Sequence, residues 1–397
     1  MHWLFLGALA AWLLVAALAC FGVWYYQRGL GRKVEATTGP SAVVILPVRG
    51  VPPALDALWA ALRAQNYAPW RLICAVESRD DPAFAALSRL VSDDLAPGAE
   101  IVVAGLASDT GQKVHNQLAA LGRLEARDAV VVFADADVVP APDWLARLVK
   151  PLLDPKIVLV SGYRWFMPQD QRLANAFVAV CNSSICTLPK PRGLSLAWGG
   201  SMALRRTTLD SLDIARWWRG SIIDDLQLGR AVRAAGGNVL SPRELLVPSP
   251  VSYSWRDGIA FGRRQYALLR VYAPSHWVLA AAATTVPVIG WVVGLSLAAT
   301  GDLTAIAVVV GVIALDWIRA VLRRRVVHVL WGAPAQSGLR RALWLDRWAT
   351  PFWLLFHAAI VWSSLFQRNI DWGGRTYRLD GPQRLTILKG PGPDRDG

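Results

Sequence analysis

Two aspartates spaced two residues apart follow an apolar run that is typical of a buried strand. The run covers residues 130–133 and leads into Asp135 and Asp137. In open α/β sheets, ligands bind at the carboxyl ends of the strands, and a chain turning toward Pro140 lets both carboxylates reach one ligand. Such oxygen ligands suit Mg²⁺ or Mn²⁺ held between the protein and a diphosphate. Alone, the motif also fits a solvated turn, because aspartate favours turns.

A second acidic pair, Asp224 and Asp225, lies downstream at the start of a predicted helix over residues 226–235. If a metal-bound nucleotide sugar occupies the strand ends, a carboxylate on the far side of the sugar could take the proton of an acceptor hydroxyl. Asp225 is the candidate for that base. The alternative for Asp225 is a helix N-cap, a position where aspartate is a preferred residue.

The pattern that positions these residues is that of an α/β domain. Apolar runs alternate with amphipathic segments, which predicts a mostly parallel, nucleotide-binding sheet. The predicted strands cover residues 42–50, 71–78, 101–105, 130–133 and 157–164, and the predicted helices cover residues 54–65, 82–95 and 171–186, with a further helix within 111–128. A glycine-rich turn leads into another strand over residues 197–206.

The two ends of the chain are apolar enough to indicate a membrane protein. Of 397 residues, 54% are hydrophobic, and residues 2–26 carry no charge. That run is long enough to cross a bilayer and lacks the basic residues that precede the core of a signal peptide, so we expect a retained anchor. Because Arg28, Arg32 and Lys33 follow it, the positive-inside rule places the next domain in the cytoplasm.

Further apolar segments follow the predicted α/β domain. Residues 276–300 and 303–322 predict a membrane hairpin, in which Asp316 should face a neighbouring helix or, with Arg319 close by, lie near the cytoplasmic end. Residues 348–366 form a third candidate span. Three spans would export the tail, yet the tail is basic, so either this segment is re-entrant or interfacial, or the charge rule fails. The tail arginines include Arg368, Arg375, Arg378 and Arg384.

The net charge of +13 comes without a nucleic-acid motif, and basic residues collect beside apolar segments. Attraction to anionic lipid headgroups explains the charge better, so we expect a membrane and no nucleic acid as partner. The four cysteines predict no metal site and no disulfide. The predicted organisation is an anchor (1–27), a cytoplasmic α/β domain (34–273), membrane helices (274–368) and a basic tail (369–397), disordered from about residue 389.

A series of motifs in matching order resembles the ceramide glucosyltransferase family, a GT-A-type branch of inverting glycosyltransferases related to the family 2 enzymes. The resemblance covers roughly residues 41–379. The motifs are ESRDDPA (77–83), GQKVHNQ (111–117), FADADVVP (133–140), GGSMALRR (199–206), IDDLQLGRAVR (223–233) and DWGGRTYRL (371–379).

The resemblance implies roles for individual residues. Asp135 and Asp137 match the motif that holds the divalent metal and the nucleotide diphosphate, and Asp225 matches the proposed catalytic base, with Asp224 as its acidic neighbour. Two further groups match segments near the nucleotide and near the sugar and acceptor: these are Lys113 and Asn116, and Gly199, Gly200 and Ser201, respectively.

The chain departs from the family pattern at two places. Ser78 stands where the family has its first aspartate, which leaves Glu77 or Asp80 to contact the uridine. The basic-aromatic motif of the family falls on residues 262–266, where Gln265 and Tyr266 replace Arg-Trp. In consequence, the diphosphate contact is expected from a shifted position, at Arg263 or Arg264.

The leading hypothesis is therefore a membrane-bound transferase that moves a sugar, glucose or a related hexose, from a UDP-sugar to a lipid hydroxyl, that of ceramide or a related sphingolipid, with inversion. A processive polysaccharide synthase or a polyprenyl-phosphate glycosyltransferase is the second enzyme hypothesis. The third hypothesis, of a different class, is a catalytically inactive membrane protein that binds nucleotide or lipid. Product analysis distinguishes the two enzyme hypotheses, and Mn²⁺-dependent UDP binding without turnover of any lipid would favour the third.

Overall fold

The structure is a computed structural model, and it describes residues 2–31, 34, 37–92 and 98–390. The helices of this part of the chain are α1 (His2–Gln27), α2 (Leu55–Arg63), α3 (Pro82–Ser92), α4 (Gln112–Leu121), α5 (Trp144–Val149), α6 (Leu173–Cys186), α7 (Arg206–Ser211), α8 (Ile214–Trp218), α9 (Asp225–Ala234), α10 (Trp255–Tyr272), α11 (Pro274–Ala299), α12 (Leu303–Gly338), α13 (Arg340–Trp348) and α14 (Thr350–Ser363). The strands are β1 (Thr37–Pro47), β2 (Tyr67–Val76), β3 (Ala99–Val103), β4 (Val130–Ala134), β5 (Leu159–Ser161), β6 (Tyr163–Pro168), β7 (Ser201–Arg205), β8 (Val239–Leu240), β9 (Leu246–Val251), β10 (Asn369–Trp372), β11 (Arg375–Gly381) and β12 (Arg384–Lys389).

The chain divides into two compact units, each built from three separate segments. The sheet unit comprises Lys33–Arg164, Lys190–Pro250 and Arg368–Gly397. The helical unit comprises Met1–Arg32, Trp165–Pro189 and Val251–Gln367. The helical unit thus takes in α6 and α10 as well as the long apolar helices, although the sequence pattern placed both helices within the α/β range.

The sheet unit contains the predicted α/β fold. Its main sheet has seven strands in the order β3-β2-β1-β4-β7-β5-β8. Strand β1 is parallel to β2 and to β4, β2 is parallel to β3, and β5 is parallel to β8. Strand β7 runs antiparallel to both β4 and β5. The prediction of a mostly parallel sheet is confirmed.

Strand β4 shows why a continuous apolar run marks the centre of this sheet. Val132 packs into the hydrophobic cluster on one face, and Val131 and Phe133 pack into the cluster on the other face. All five residues of β4 are buried, as expected for a parallel strand covered on both sides. The chain therefore meets solvent again only after Ala134, which is where the first acidic pair begins.

The helical unit contains three helices that are long and apolar enough to cross a membrane. They are Trp3–Gln27, Pro274–Ala299 and Leu303–Gly338. On α1, Trp12 packs with 1% exposure against α11, where a Cβ at Gly290 would lie 2.2 Å from the tryptophan ring. Glycine at this position lets the indole approach the backbone of α11 closely, as small residues do between membrane helices.

The third candidate span is shorter than the sequence pattern indicated. Helix α14 has 14 residues, which at 1.5 Å per residue gives about 21 Å, less than the roughly 30 Å of a hydrocarbon core. Helix α12, in contrast, continues beyond residue 322 to Gly338, with a kink at Gly332, whose φ is 75°. The length of α14 is that of a buried, re-entrant or interfacial helix rather than a span.

Three charged residues of α12, Asp316, Arg319 and Arg323, form ion pairs within the helical unit. Asp316 is 6% exposed and forms an ion pair with Arg319 one turn later. Arg319 also lies 3.3 Å from Asp346 on α13, and Asp346 lies 2.6 Å from Arg323. The carboxylate of Asp316 is thus paired with an arginine of its own helix, and that arginine in turn pairs with Asp346 on α13.

The basic segment after the helices is an ordered part of the sheet unit. Strands β10, β11 and β12 form a three-stranded antiparallel sheet. Arg375 on β11 is 4% exposed and donates a hydrogen bond of 3.2 Å to the carbonyl of Ala107. These strands were not predicted from the sequence. Of the tail predicted to be disordered from about residue 389, Lys389 is the last residue of β12, and residues 391–397 lie outside the described residues.

Candidate active site

The first acidic pair lies directly after β4, at the carboxyl end of the sheet. The side chain of Asp135 is 17% exposed, whereas that of Asp137 is 51% exposed. The sheet therefore presents one carboxylate that is held inside the protein and a second one that is open to a ligand.

Lys113 joins the first acidic pair to the second. It lies in the first turn of α4, and its Nζ is 2.6 Å from Asp135 Oδ1 and 3.1 Å from Asp224 Oδ1. Burial opposes the charge of Lys113, but Asp135 and Asp224 outweigh that effect and raise the pKa of the amine. Lys113 thus pairs both with Asp135, which follows β4, and with Asp224, which precedes α9, although about 90 residues separate the two aspartates in the sequence.

Asp225 is held by the backbone at the start of α9. Its Oδ2 accepts a hydrogen bond of 2.9 Å from Gly199 N–H, and its Oδ1 accepts one of 2.6 Å from Leu226 N–H. Burial and the neighbouring charge of Asp224 raise the pKa of Asp225 to about 7. A carboxylate with this pKa can accept a proton near neutral pH, as a general base must.

Asp224 faces the interior rather than a ligand. It is 1% exposed, its Oδ2 accepts a hydrogen bond of 2.8 Å from Gln117 Nε2, and its backbone carbonyl accepts one of 3.0 Å from Trp218 Nε1. The contacts of Asp224 make it a positioning residue that fixes Lys113 and the start of α9.

The predicted glycine turn passes close to this cluster. A Cβ at Gly199 would lie 2.4 Å from Asp224 Oδ2 and 2.8 Å from Lys113 Nζ, and a Cβ at Gly200 would lie 2.1 Å from the ring of Trp198. Ser201 is fully buried, and its hydroxyl accepts a hydrogen bond from the indole of Trp144. The two glycines thus let the backbone approach the protein's own side chains closely.

Arg164 is a site residue that the sequence analysis missed. Its Nη1 lies 3.5 Å from Asp137 Oδ2 and its Nη2 lies 3.8 Å from Asp135 Oδ2, while its guanidinium stands 5.0 Å from the ring of Trp198. Burial raises the pKa of Asp135, but Lys113 and Arg164 outweigh burial and lower it, so this carboxylate is ionised. In the sequence, the only indication that Arg164 belongs to the site was its position at the end of the predicted strand over residues 157–164.

At the end of β2, Glu77 lies between two arginines. Its side chain is 3.6 Å from Arg49 and 3.8 Å from Arg375 of the C-terminal sheet. Asp80 is exposed in the following turn, where its N–H donates a hydrogen bond of 3.1 Å to Ser78 Oγ. Of the two predicted uridine contacts, Glu77 is therefore built into an ionic cluster, and Asp80 is exposed on the turn.

Asn116 and the basic-aromatic segment have other surroundings. Asn116 is 3% exposed and accepts a hydrogen bond of 2.7 Å from Gln112, so its amide serves the interior of the sheet unit. Tyr266 belongs to the helical unit, where it is buried and forms a hydrogen bond with His357. The same helix, α10, carries Arg263, Arg264 and Gln265.

The model of the family described as glycosyl transferase family 21 matches residues 5–385, nearly the whole chain. The chain belongs to this family. No curated protein sequence matches the chain. Membership identifies the chain as a glycosyltransferase, and the cluster around Lys113 lies in the part of the fold where such an enzyme is expected to bind its donor.

Two solved structures illustrate what this glycosyltransferase is similar to. A mannosyltransferase from Pyrobaculum calidifontis, in complex with GDP-Man and Mn²⁺, is 19% identical with a TM-score of 0.50, over 86% of this chain and 99% of that chain. Glucosyl-3-phosphoglycerate synthase from Mycobacterium tuberculosis, in complex with Mn²⁺, UDP and phosphoglyceric acid, is 17% identical with a TM-score of 0.38, over 58% of this chain and 78% of that chain. At this identity the first likeness shows a shared GT-A-like fold.

The residues of this glycosyltransferase fit a divalent metal that is shared with a diphosphate. Asp135 and Asp137 supply carboxylate oxygens, and the described residues contain no group of three or more His, Cys, Asp or Glu side chains that could hold a metal by themselves. Mg²⁺ and Mn²⁺ are commonly bound through one or two carboxylates together with substrate phosphates. The phosphate oxygens would complete the coordination that the protein leaves open.

Proposed function

We propose that this glycosyltransferase moves a sugar, glucose or a related hexose, from a UDP-sugar to the hydroxyl group of a membrane lipid, with inversion, and that the acceptor is ceramide or a related sphingolipid. One observation supports the proposal most strongly. The Asp225 carboxylate, with a pKa of about 7, is held by Gly199 and Leu226 next to the cluster of Lys113, Asp224 and Asp135.

In the proposed reaction, Asp225 accepts the proton of the acceptor hydroxyl as its oxygen bonds to the anomeric carbon and the bond to the diphosphate breaks. The proton ends on Asp225, and the electron pair of the broken bond leaves with UDP. Such a single displacement inverts the anomeric centre. Lys113 and Arg164 hold Asp135 and Asp137 in place, and both cations stabilise the negative charge that develops on the leaving group.

Asp135 and Asp137 would hold the divalent metal, Mg²⁺ or Mn²⁺, and the metal would neutralise the charge of the diphosphate. The Pyrobaculum mannosyltransferase, whose structure contains GDP-Man and Mn²⁺, supports a metal-bound nucleotide sugar on this fold. Glu77, with Arg49 and Arg375 beside it, is the proposed contact for the base of the nucleotide.

The packing of the C-terminal sheet supports a proposal for the number of membrane crossings. Because Arg375 packs in the same compact unit as Ala107 and Glu77, we propose that residues 369–389 lie on the same side of the membrane as these residues. An even number of crossings must separate them, which α11 and α12 provide and which α14 as a further span would not. We therefore propose three crossings, with the sheet unit in the cytoplasm because Arg28 and other basic residues follow α1.

The test uses the full chain in membranes or lipid nanodiscs, incubated with labelled UDP-sugars and a panel of lipids that includes ceramide. We expect one sugar per lipid, an anomeric configuration opposite to that of the donor, and loss of transfer with a chelator that is reversed by Mn²⁺. A polymer or a phosphodiester-linked product would overturn the proposed acceptor. Mn²⁺-dependent UDP binding without turnover of any lipid would overturn the proposed activity.

A further inference from the structure

The helical unit contains a groove between the end of α12 and α13. At Gly332, with a φ of 75°, the chain turns out of its helical path, and α13 then returns beside α12. The groove encloses about 360 Å³ and is lined by Arg324, Arg340 and Arg347, with Trp344 and Trp348 beside them. We call this feature the arginine groove.

The arginine groove carries positive charge without a carboxylate to neutralise it. None of its three arginines forms an ion pair with a carboxylate among the described residues. Asp346 is the only acidic residue between residues 317 and 370, and it is 1% exposed and paired with Arg319 and Arg323. Arg324 and Arg340 are exposed. Arg324 Nε donates a hydrogen bond of 3.3 Å to Gln336 Oε1, and among the described residues no carboxylate competes with an anion for either guanidinium group.

The aromatic lining of the groove favours a membrane interface. Trp344 and Trp348 are 58% and 62% exposed, which is unusual for tryptophan in a soluble protein. The guanidinium of Arg347 stacks on two aromatic rings, 4.7 Å from the Trp317 centroid and 5.7 Å from the Trp348 centroid. Tryptophan and arginine together are typical of the headgroup layer, where each has an apolar part and a polar part to place.

The position of the groove along α12 agrees with that layer. Arg324 follows Leu303, the first residue of the helix, by 21 residues, a rise of about 31 Å at 1.5 Å per residue. That distance equals the thickness of a hydrocarbon core, about 30 Å. If α12 crosses the membrane from Leu303, the groove lies at the depth of the lipid phosphates on the side where the chain continues.

We propose that the arginine groove binds the phosphate headgroup of an anionic phospholipid from the surrounding bilayer. The inference rests on the membrane placement of α12 and goes beyond the glycosyl transfer, in which this lipid takes no part. Guanidinium groups bind phosphate oxygens through two parallel hydrogen bonds, and Arg340 and Arg324 can approach one phosphate from α13 and from α12. The exposed tryptophans then contact the glycerol and the upper acyl chains.

The test measures binding of dioctanoyl phosphatidylglycerol to the purified full chain in a neutral detergent, by native mass spectrometry and by thermal shift. Dioctanoyl phosphatidylcholine and inorganic phosphate serve as comparison probes. We expect saturable binding of one phosphatidylglycerol per chain, no comparable binding of phosphatidylcholine, and no displacement by millimolar phosphate. The double variant Arg324→Gln with Arg340→Gln should weaken the affinity about tenfold or more, because each arginine near a lipid phosphate adds to the binding free energy.

The matched control removes the same charge elsewhere. Arg325 and Arg63 are both exposed and lie outside the groove, so Arg325→Gln with Arg63→Gln should keep the affinity within about twofold. Equal weakening in both double variants would overturn the proposal in favour of general charge attraction, and so would equal binding of phosphatidylcholine or full competition by phosphate. Because transfer to lipid is measured separately, failure here leaves the proposed enzyme activity untouched.

Discussion

Replacing Asp225 with asparagine tests the proposed base while keeping the size of the side chain. General base catalysis contributes about 10²- to 10⁴-fold, so kcat should fall at least 100-fold. Binding of the UDP-sugar should stay within about threefold of the parent protein, because the proposed metal ligands Asp135 and Asp137 are unchanged. The assay is transfer of labelled sugar to lipid, with UDP-sugar affinity measured separately by calorimetry.

The pKa of Asp225 gives the same experiment a second readout. Because the base must be ionised, kcat/KM of the parent protein should fall about tenfold per pH unit below a pKa of about 7 and level off above it. The residual activity of Asp225→Asn should not show this step. A parent profile without a step between pH 6 and 8 would contradict the assignment of Asp225 as the base.

Above pH 7, Asp225→Asn should raise the stability of the folded protein although it lowers the activity. Folding raises the pKa of Asp225 from 3.8 to about 7, so the ionised carboxylate destabilises the folded protein by on the order of 4 kcal/mol above pH 7. Asparagine removes that charge but loses one of two backbone hydrogen bonds, which costs about 1–3 kcal/mol.

We therefore expect Asp225→Asn to melt at a higher temperature than the parent protein at pH 8. The difference should shrink as the pH falls from about 7 toward 4, because folded Asp225 is then already neutral. A variant that keeps more than a tenth of the activity, or one that melts lower at pH 8 than at pH 5 relative to the parent, would refute this reasoning.

Three further predictions concern residues of the sheet unit. Gly199→Ala should lower kcat at least 100-fold, because its Cβ would lie 2.4 Å from a buried carboxylate oxygen. The control Gly193→Ala, whose Cβ would have nothing within 4 Å, should keep kcat within about twofold of the parent value. Similar kinetics for the two variants would contradict a tightly packed turn at Gly199. Asp135→Asn should weaken UDP binding at least tenfold in Mn²⁺ and much less in a chelator, as measured by calorimetry, and equal losses in both conditions would argue against a metal ligand. Arg375→Ala should lower the free energy of unfolding by about 3 kcal/mol, because it breaks a buried ion pair. The control Arg378→Ala removes a side chain that is 48% exposed on the same strand and should change this free energy by less than about 0.5 kcal/mol. Equal melting temperatures of the two variants would show that the C-terminal sheet contributes little to stability.

The parts of the fold that could be predicted from the sequence are those where burial is uniform. Strand β4 is covered on both faces, so its continuous apolar run and the aspartates after it can be recognised from the sequence alone. The start of α9 at Asp225 was predicted within one residue, because an aspartate before an amphipathic segment is a helix-start signal.

The C-terminal strands could not be recognised as such because one of the buried residues of β11 is charged. Arg375, Tyr377 and Leu379 are buried and alternate with more exposed positions along β11, which is the pattern of a strand with one buried face. An arginine at the first inward position conceals that pattern, since its burial depends on the distant partner Glu77. The same dependence on distant partners explains why Arg164 was missed.

The membrane segments were predicted by length, and the disagreement at α14 also has a physical reason. Ala349, with a φ of −126°, lies between α13 and α14 and is not helical. Pro351, in the first turn of α14, has no N–H to donate and is well suited to begin a helix. The apolar composition of the segment thus continues beyond the helix that it forms.

The sheet of β10, β11 and β12 has a consequence for how the protein is made. The ribosome synthesises these strands only after α11 and α12, so the sheet unit stays incomplete until both of these helices have been made. A soluble fragment that stops before Pro274 would lack Arg375 and leave a gap beside Ala107. Fusing residues 369–389 to such a fragment through a flexible linker is therefore the truncation most suited to yield a stable catalytic unit.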